Sequence, residues 1–141
     1  MASARTVTPA TENEDQAVRR RLGELLRNAY APYSEFRVAA AVVDENGDIH
    51  YGVNVENQSF PVATCAEAAA ISALFASGGS RIKKLYLLSE PNIKVLPCGA
   101  CRQRLAEFAR PGMSIITFGK TGDDQDAYSL EDLFPHSFRF K

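Results

Sequence analysis

The sequence predicts an α/β fold in which a mixed five-stranded sheet is covered by helices on both faces. Asn46-Gly47 stands between two apolar runs, the strongest short signal for a β-hairpin. Two helix-prone stretches, Ala66 to Ala76 and Ala100 to Ala109, each separate segments of strand character. That alternation makes a sheet with helical crossovers. At 141 residues the chain has the length of one domain, expected over 14–141 behind a disordered tail at 1–13.

The elements follow in order. Val18, Leu22, Leu25, Leu26 and Ala29 recur at helical spacing with arginines between them, so an amphipathic helix is expected up to Pro32. Arg37 to Val43 and Ile49 to Asn54 form the hairpin strands around Asp44-Glu45-Asn46-Gly47-Asp48. Asn57 to Thr64, with Pro61 inside, reads as loop. Ala66 to Ala76 is closed as a helix by Gly78-Gly79. Lys84 to Ser89 is a short buried strand, and Ala100 to Ala109 a helix that Pro111-Gly112 should end. Met113 to Lys120 and Gln125 to Tyr128 pair across a turn, and Ser129 to Phe134 makes one closing helical turn.

Composition excludes several classes. With 45% hydrophobic and 23% charged residues the chain is globular. A net charge of −1 supplies no basic surface for nucleic acid. No apolar run approaches the roughly 20 residues of a membrane span. Met1 to Asp15 is polar and then acidic, without the apolar core of a secretory signal, so a reducing, cytoplasmic setting is expected.

Three cysteines cannot close into a full set of intrachain disulfides. Cys65 opens the Ala-rich helix, and Cys98 and Cys101 open the next one. Helix N-termini favour thiolates, because free N–H groups and the helix dipole stabilise negative charge. Cys-x-x-Cys lets two thiolates of one turn share a metal, and a third from another helix completes a face that suits Zn²⁺. Three protein ligands leave a fourth position for water, the arrangement of a catalytic zinc. Glu67, two residues after Cys65, can share such a site if the metal lies off the helix end, and can then take a proton from water. The same residues admit other readings. These are a structural zinc with a fourth ligand, a thiol-disulfide centre at Cys98-Gly99-Ala100-Cys101, and buried apolar cysteines. An iron-sulfur cluster normally needs four cysteines. His50 and His136 are expected on the surface or in packing.

Cys65-Ala66-Glu67 with Pro97-Cys98-Gly99-Ala100-Cys101 resembles a cytidine deaminase of the small, homotetrameric type with three thiolates on zinc. The resemblance runs from about Tyr30 to Phe138. It takes in Ala31-Pro32-Tyr33-Ser34-Glu35-Phe36, Asn54-Val55-Glu56-Asn57 and Cys101-Arg102-Gln103. It implies a three-layer cytidine-deaminase-like fold with one zinc per chain on Cys65, Cys98 and Cys101. It also implies hydrolytic deamination of cytidine and deoxycytidine in pyrimidine salvage. Zinc-bound hydroxide attacks C4, Glu67 shuttles protons, and the adduct loses ammonia. By the same resemblance Phe36 packs on the base and the Ala66 N–H reaches the base carbonyl. Asn54 and Glu56 bind the ribose hydroxyls. Phe138 enters a neighbouring subunit's pocket, so a homotetramer is implied. A modified cytosine nucleoside such as blasticidin S is the rival substrate, and a non-catalytic zinc module is the rival class.

The chain departs from the family pattern at three places. Ala68 stands where an arginine usually follows the glutamate, so the helix N-termini or another cation, such as Arg102, must offset the thiolate charge. Phe60 stands for a common tyrosine. Arg37-Val38-Ala39-Ala40-Ala41 stands for Pro-Val-Gly-Ala-Ala.

Overall fold

The computed structural model describes residues 12–140. Of the tail expected at 1–13, all but the last two residues lie outside the described residues. Asn13 caps the first helix, its side chain accepting a hydrogen bond from Gln16 N at 2.8 Å.

Helix α1 (Glu14–Leu25) ends sooner than Pro32 requires, tightening into a 3-10 turn at Leu26–Asn28. The hairpin forms as expected, with β1 (Arg37–Asp44) antiparallel to β2 (Ile49–Val53). After a 3-10 turn at Phe60–Val62 comes α2 (Ala66–Ala76), with the bounds that its composition predicts. Strand β3 (Ile82–Glu90), helix α3 (Gly99–Phe108), strands β4 (Ala109–Phe118) and β5 (Gln125–Ser129), and the short α4 (Leu130–Leu133) complete the chain. Ser129 and Asp132 close α4 with a reciprocal capping box.

One boundary is corrected. Pro111-Gly112 does not separate helix from strand; it lies inside β4. Ile82 pairs with Ala109, but Lys84 already pairs with Ser114, so the register slips there and the Pro-Gly segment occupies the bulge. Proline has no N–H to give the ladder, and Gly112 has φ +79°, so both suit a bulge.

The sheet order is β2-β1-β3-β4-β5. Only β3 and β4, joined through α3, are neighbours in parallel; the other pairs are antiparallel. Helix α2 also joins two strands of the same direction, but β1 lies between them. Helix α1 covers one face, where Val18 and Leu22 pack on Ala39, Ala41, Tyr86 and Phe118. Helices α2, α3 and α4 cover the other, around Ala40, Val42, Leu85, Leu87 and Ile115. Alternate residues of β1 and β3 thus enter opposite cores, and both strands are apolar on both sides. Each such large side chain contributes roughly 1.5–3 kcal/mol on burial.

Gly52 decides how closely α2 approaches the sheet. A Cβ there would overlap Ala70 N and Ala66 O and lie 2.7 Å from Ala69 Cβ. The first turn of α2 therefore rests on bare backbone of β2, which sets the position of Cys65 and Glu67.

Candidate active site

Helices α2 and α3 begin at one place. Cys65 is the N-cap of α2 and Cys98 the N-cap of α3, both with extended backbone and neither using its side chain as a cap. The sulfurs of Cys65, Cys98 and Cys101 lie within 4.8 Å of one another. Tetrahedral zinc with Zn–S bonds of about 2.3 Å would separate its thiolates by about 3.8 Å, so the donor set fits that ion. Among the described residues no His, Asp, Glu or further Cys joins the group. Three thiolates suit the preference of zinc for soft ligands and leave a fourth tetrahedral position that no such side chain among the described residues takes. His50 is engaged elsewhere, its Nε2 2.8 Å from Asp44 Oδ2.

The three thiols are not equivalent. Cys98 is exposed, Cys65 half-buried and Cys101 buried. Burial pushes the Cys65 and Cys101 thiols up, and the charges of Glu67 and the neighbouring cysteines add to this. At Cys98 burial acts the same way, but hydrogen bonds from the Cys101 backbone N–H and from the other two thiols outweigh it and bring the pKa below the usual thiol value. Glu67, in the first turn of α2, is 6% exposed. Burial raises its carboxyl above the ordinary range, opposed by its own backbone N–H, the Arg104 charge and a hydrogen bond from the Cys101 thiol. Ala66, the first residue of α2 and 1% exposed, carries one of the helix's amides without an intrahelical acceptor.

Backbone pairing joins the segment 54–56 to the strand-like approach to this helix end. Val55 and Thr64 exchange hydrogen bonds of 3.0 and 2.9 Å, and this antiparallel pairing runs Asn54 toward Cys65 and Glu56 toward Ala63. On its other side this segment pairs with Tyr30, through Tyr30 N to Asn54 O at 3.0 Å and Glu56 N to Tyr30 O at 2.8 Å. The Asn54 side chain bridges the start of β1. Its Oδ1 accepts from Val38 N and its Nδ2 donates to Phe36 O, both at 2.9 Å. That leaves one N–H and one lone pair free. Glu56 accepts from Tyr33 N, Ser34 N and Ser34 Oγ, and the Ser34 hydroxyl holds its carboxyl below the usual range. A cleft of about 340 Å³ runs between Tyr33, Ser34, Glu56, Asn57, Phe60 and Ala63. Phe36 is half-buried immediately before β1 begins.

Phe138 does not join this group within one chain. Its backbone is held on α3 by Gln103, through Phe138 N to Oε1 at 3.1 Å and Nε2 to Phe138 O at 3.3 Å, while the residue is 73% exposed.

Two arginines of α3 are candidates for a cation near the sulfurs, and their partners differ. Arg102 is committed to backbone carbonyls, donating from Nε to Pro97 O at 2.8 Å and from Nη1 to Leu133 O at 2.7 Å. Arg104 faces them, with Nη1 3.3 Å from Cys101 Sγ. The i, i+3 spacing from Cys101 was the available signal for it. Ser34 and Gly52 were also missed. The turn Tyr33-Ser34-Glu35 hinted at the first, and nothing local marked the second.

Comparison with known proteins gives a consistent result. The family model described as the cytidine and deoxycytidylate deaminase zinc-binding region matches residues 12–117. The cytidine deaminase of Sporosarcina psychrophila is 36% identical over 110 residues, 78% of this chain and 80% of its own length. That of Mycoplasma pneumoniae is 40% identical over 124 residues, 86% and 92% respectively. The crystal structure of cytidine deaminase from Mycobacterium tuberculosis matches at TM-score 0.77 and 32% identity, covering 92% of this chain and 100% of that one. The one from Mycobacterium leprae matches at 0.76 and 34%, covering 89% and 100%.

Proposed function

The chain belongs to the cytidine and deoxycytidylate deaminase family, and from that premise we propose that it converts cytidine and deoxycytidine, with water, to uridine and deoxyuridine with release of ammonia. The convergence of three cysteine sulfurs beside a buried glutamate, where two helices begin, carries this reading. One zinc per chain would be held by Cys65, Cys98 and Cys101, and when bound it supplies the Lewis acid that makes water acidic near neutral pH.

The chain's own residues do the rest. Glu67 accepts a proton from the attacking water, delivers it to N3 of the base, and moves the next one to the departing amino group. Its burial supports this role, because a carboxylate shielded from bulk water exchanges protons with the substrate rather than with solvent. The Ala66 N–H donates to the base carbonyl, and Phe36 packs on the ring. Asn54 and Glu56 fix the ribose hydroxyls with the hydrogen-bonding capacity that their protein contacts leave over. Phe138 reaches the pocket of a neighbouring subunit in a homotetramer. Its exposed ring on a pinned backbone supports that role. The reaction is a pyrimidine-salvage step, and we place it in the cytoplasm, where thiolate ligands stay reduced.

Ammonia release from cytidine, deoxycytidine, cytosine, cytidine monophosphate and blasticidin S tests the reading. Cytidine and deoxycytidine should turn over. Glu67→Ala should lower kcat by roughly 10²–10⁴-fold with zinc content unchanged. Turnover of blasticidin S alone would assign the rival substrate, and full activity of Glu67→Ala would overturn the proton role.

A further inference from the structure

Helix α3 carries two arginines in its first two turns, and they have different work. Arg102 ties the Pro97 carbonyl, just before Cys98, to the Leu133 carbonyl at the end of α4. It shapes the entry to α3, and its side-chain hydrogen bonds go to these carbonyls. Arg104 stands three residues after Cys101, on the same face of α3, and its Nη1 lies 3.3 Å from Cys101 Sγ. Among the described residues no other Lys or Arg nitrogen hydrogen-bonds a cysteine sulfur.

A cation at this point answers a definite need. Three thiolates around a divalent ion sum to −1, and Glu67 adds a carboxylate alongside. The N-termini of α2 and α3 offset part of that charge with partial dipoles. Cys101 is 0% exposed, so water cannot solvate its sulfur as it can that of exposed Cys98. Helix α2 offers no side-chain cation at its entry, since Cys65, Ala66, Glu67 and Ala68 follow one another there. A guanidinium is always charged and presents several donors. One of them can hold the sulfur while the rest remain in water, consistent with Arg104 being an exposed residue.

We propose that Arg104 is the positioning residue of the metal centre: it donates a hydrogen bond to Cys101 Sγ, offsets the excess thiolate charge, and thereby sets zinc affinity from α3 in place of α2. This rests on the zinc reading above. A hydrogen bond to a thiolate withdraws electron density from the sulfur and holds the side chain in the rotamer that faces the metal. The charge acts on all three sulfurs at once. Contacts of this kind outside the ligands themselves typically change metal affinity by 10–100-fold.

The test uses the full chain and zinc itself. Zinc affinity is measured by competition with a chromophoric chelator for the parent, Arg104→Gln, Arg104→Lys and the double variant Arg104→Gln/Ala68→Arg. Arg104→Gln should weaken zinc binding by roughly 10-fold or more, Arg104→Lys by less, and the added arginine on α2 should restore affinity. In cobalt-substituted protein the thiolate-to-metal charge-transfer band should move to longer wavelength in Arg104→Gln, because a sulfur without its donor gives up electrons more easily. A zinc affinity within twofold of the parent and an unmoved cobalt band would overturn the role of Arg104. A parent chain that binds no zinc would overturn the metal reading itself, so the two failures are distinct.

Discussion

Asp44 ends β1 with its residue 2% exposed, accepting hydrogen bonds from Asn46 N at 2.8 Å and Asp48 N at 3.0 Å and meeting His50 Nε2 at 2.8 Å. Glu67 is nearly as buried but lacks such a set of donors. The two carboxyls therefore shift in opposite directions. At Asp44 the His50 hydrogen bond outweighs burial and lowers the pKa, while at Glu67 burial prevails and raises it. For Asp44 the folded value lies below the unfolded one. Its bonds therefore stabilise the hairpin above the ordinary aspartate pKa of about 3.9, and that stability is lost as pH falls through the folded value. Urea midpoints measured between pH 7 and pH 3 should fall more steeply for the parent than for Asp44→Asn. Parallel profiles would remove Asp44 as an acid-sensitive link.

At the scale of elements, the seat of α2 on β2 places both Cys65 and Glu67. Gly52→Ala puts a Cβ into the helix backbone at Ala66 and Ala70, which neither rotamer change nor side-chain motion can relieve. It should destabilise the fold by roughly 1–3 kcal/mol or more and weaken zinc binding as the helix end shifts. Gly23 provides the opposite case, in the interior of α1 with nothing within 4 Å of an added Cβ. Gly23→Ala should stabilise by about 0.5–1 kcal/mol and leave zinc binding unchanged. Denaturant titrations of the pair check both signs, and loss of stability in both would refute the packing argument. The elements were legible to different degrees. The run Ala66–Ala76 is bounded by local chemistry, a helix former at every turn and glycines beyond, so its ends could be read directly. Pro111-Gly112 reads locally as a terminator, yet it lies within β4 because Ile82, nearly thirty residues away in the chain, pairs with Ala109 and leaves the segment as a bulge. Such pairing has no local signature.

For the whole molecule, the C-terminal segment is the informative part. Gln103 pins the Phe138 backbone to α3, while the Phe138 ring and Phe140 stand exposed. Phe60 and Val62 are also exposed, and Phe60 stands near Tyr33 at 6.3 Å between ring centroids beside the cleft. A subunit contact through Phe138 predicts that Phe138→Ala raises KM for cytidine by roughly 3–10-fold, the value of one aromatic contact. The same substitution should lower the assembly state in sedimentation velocity. A fully active monomer would exclude the shared pocket. The sequence by itself determined the donor set, the glutamate beside it and the apolar pattern of the sheet, because ligand chemistry and strand alternation are properties of residue type and spacing. Only the tertiary structure decided which cation serves the sulfurs. Arg102 and Arg104 stand two residues apart on one helix, and both the phase of that helix and the Leu133 carbonyl, 31 residues away, draw one guanidinium off and leave the other on Cys101. The close seat of α2 on Gly52 was settled in the same way, by a neighbour that the chain meets only after folding.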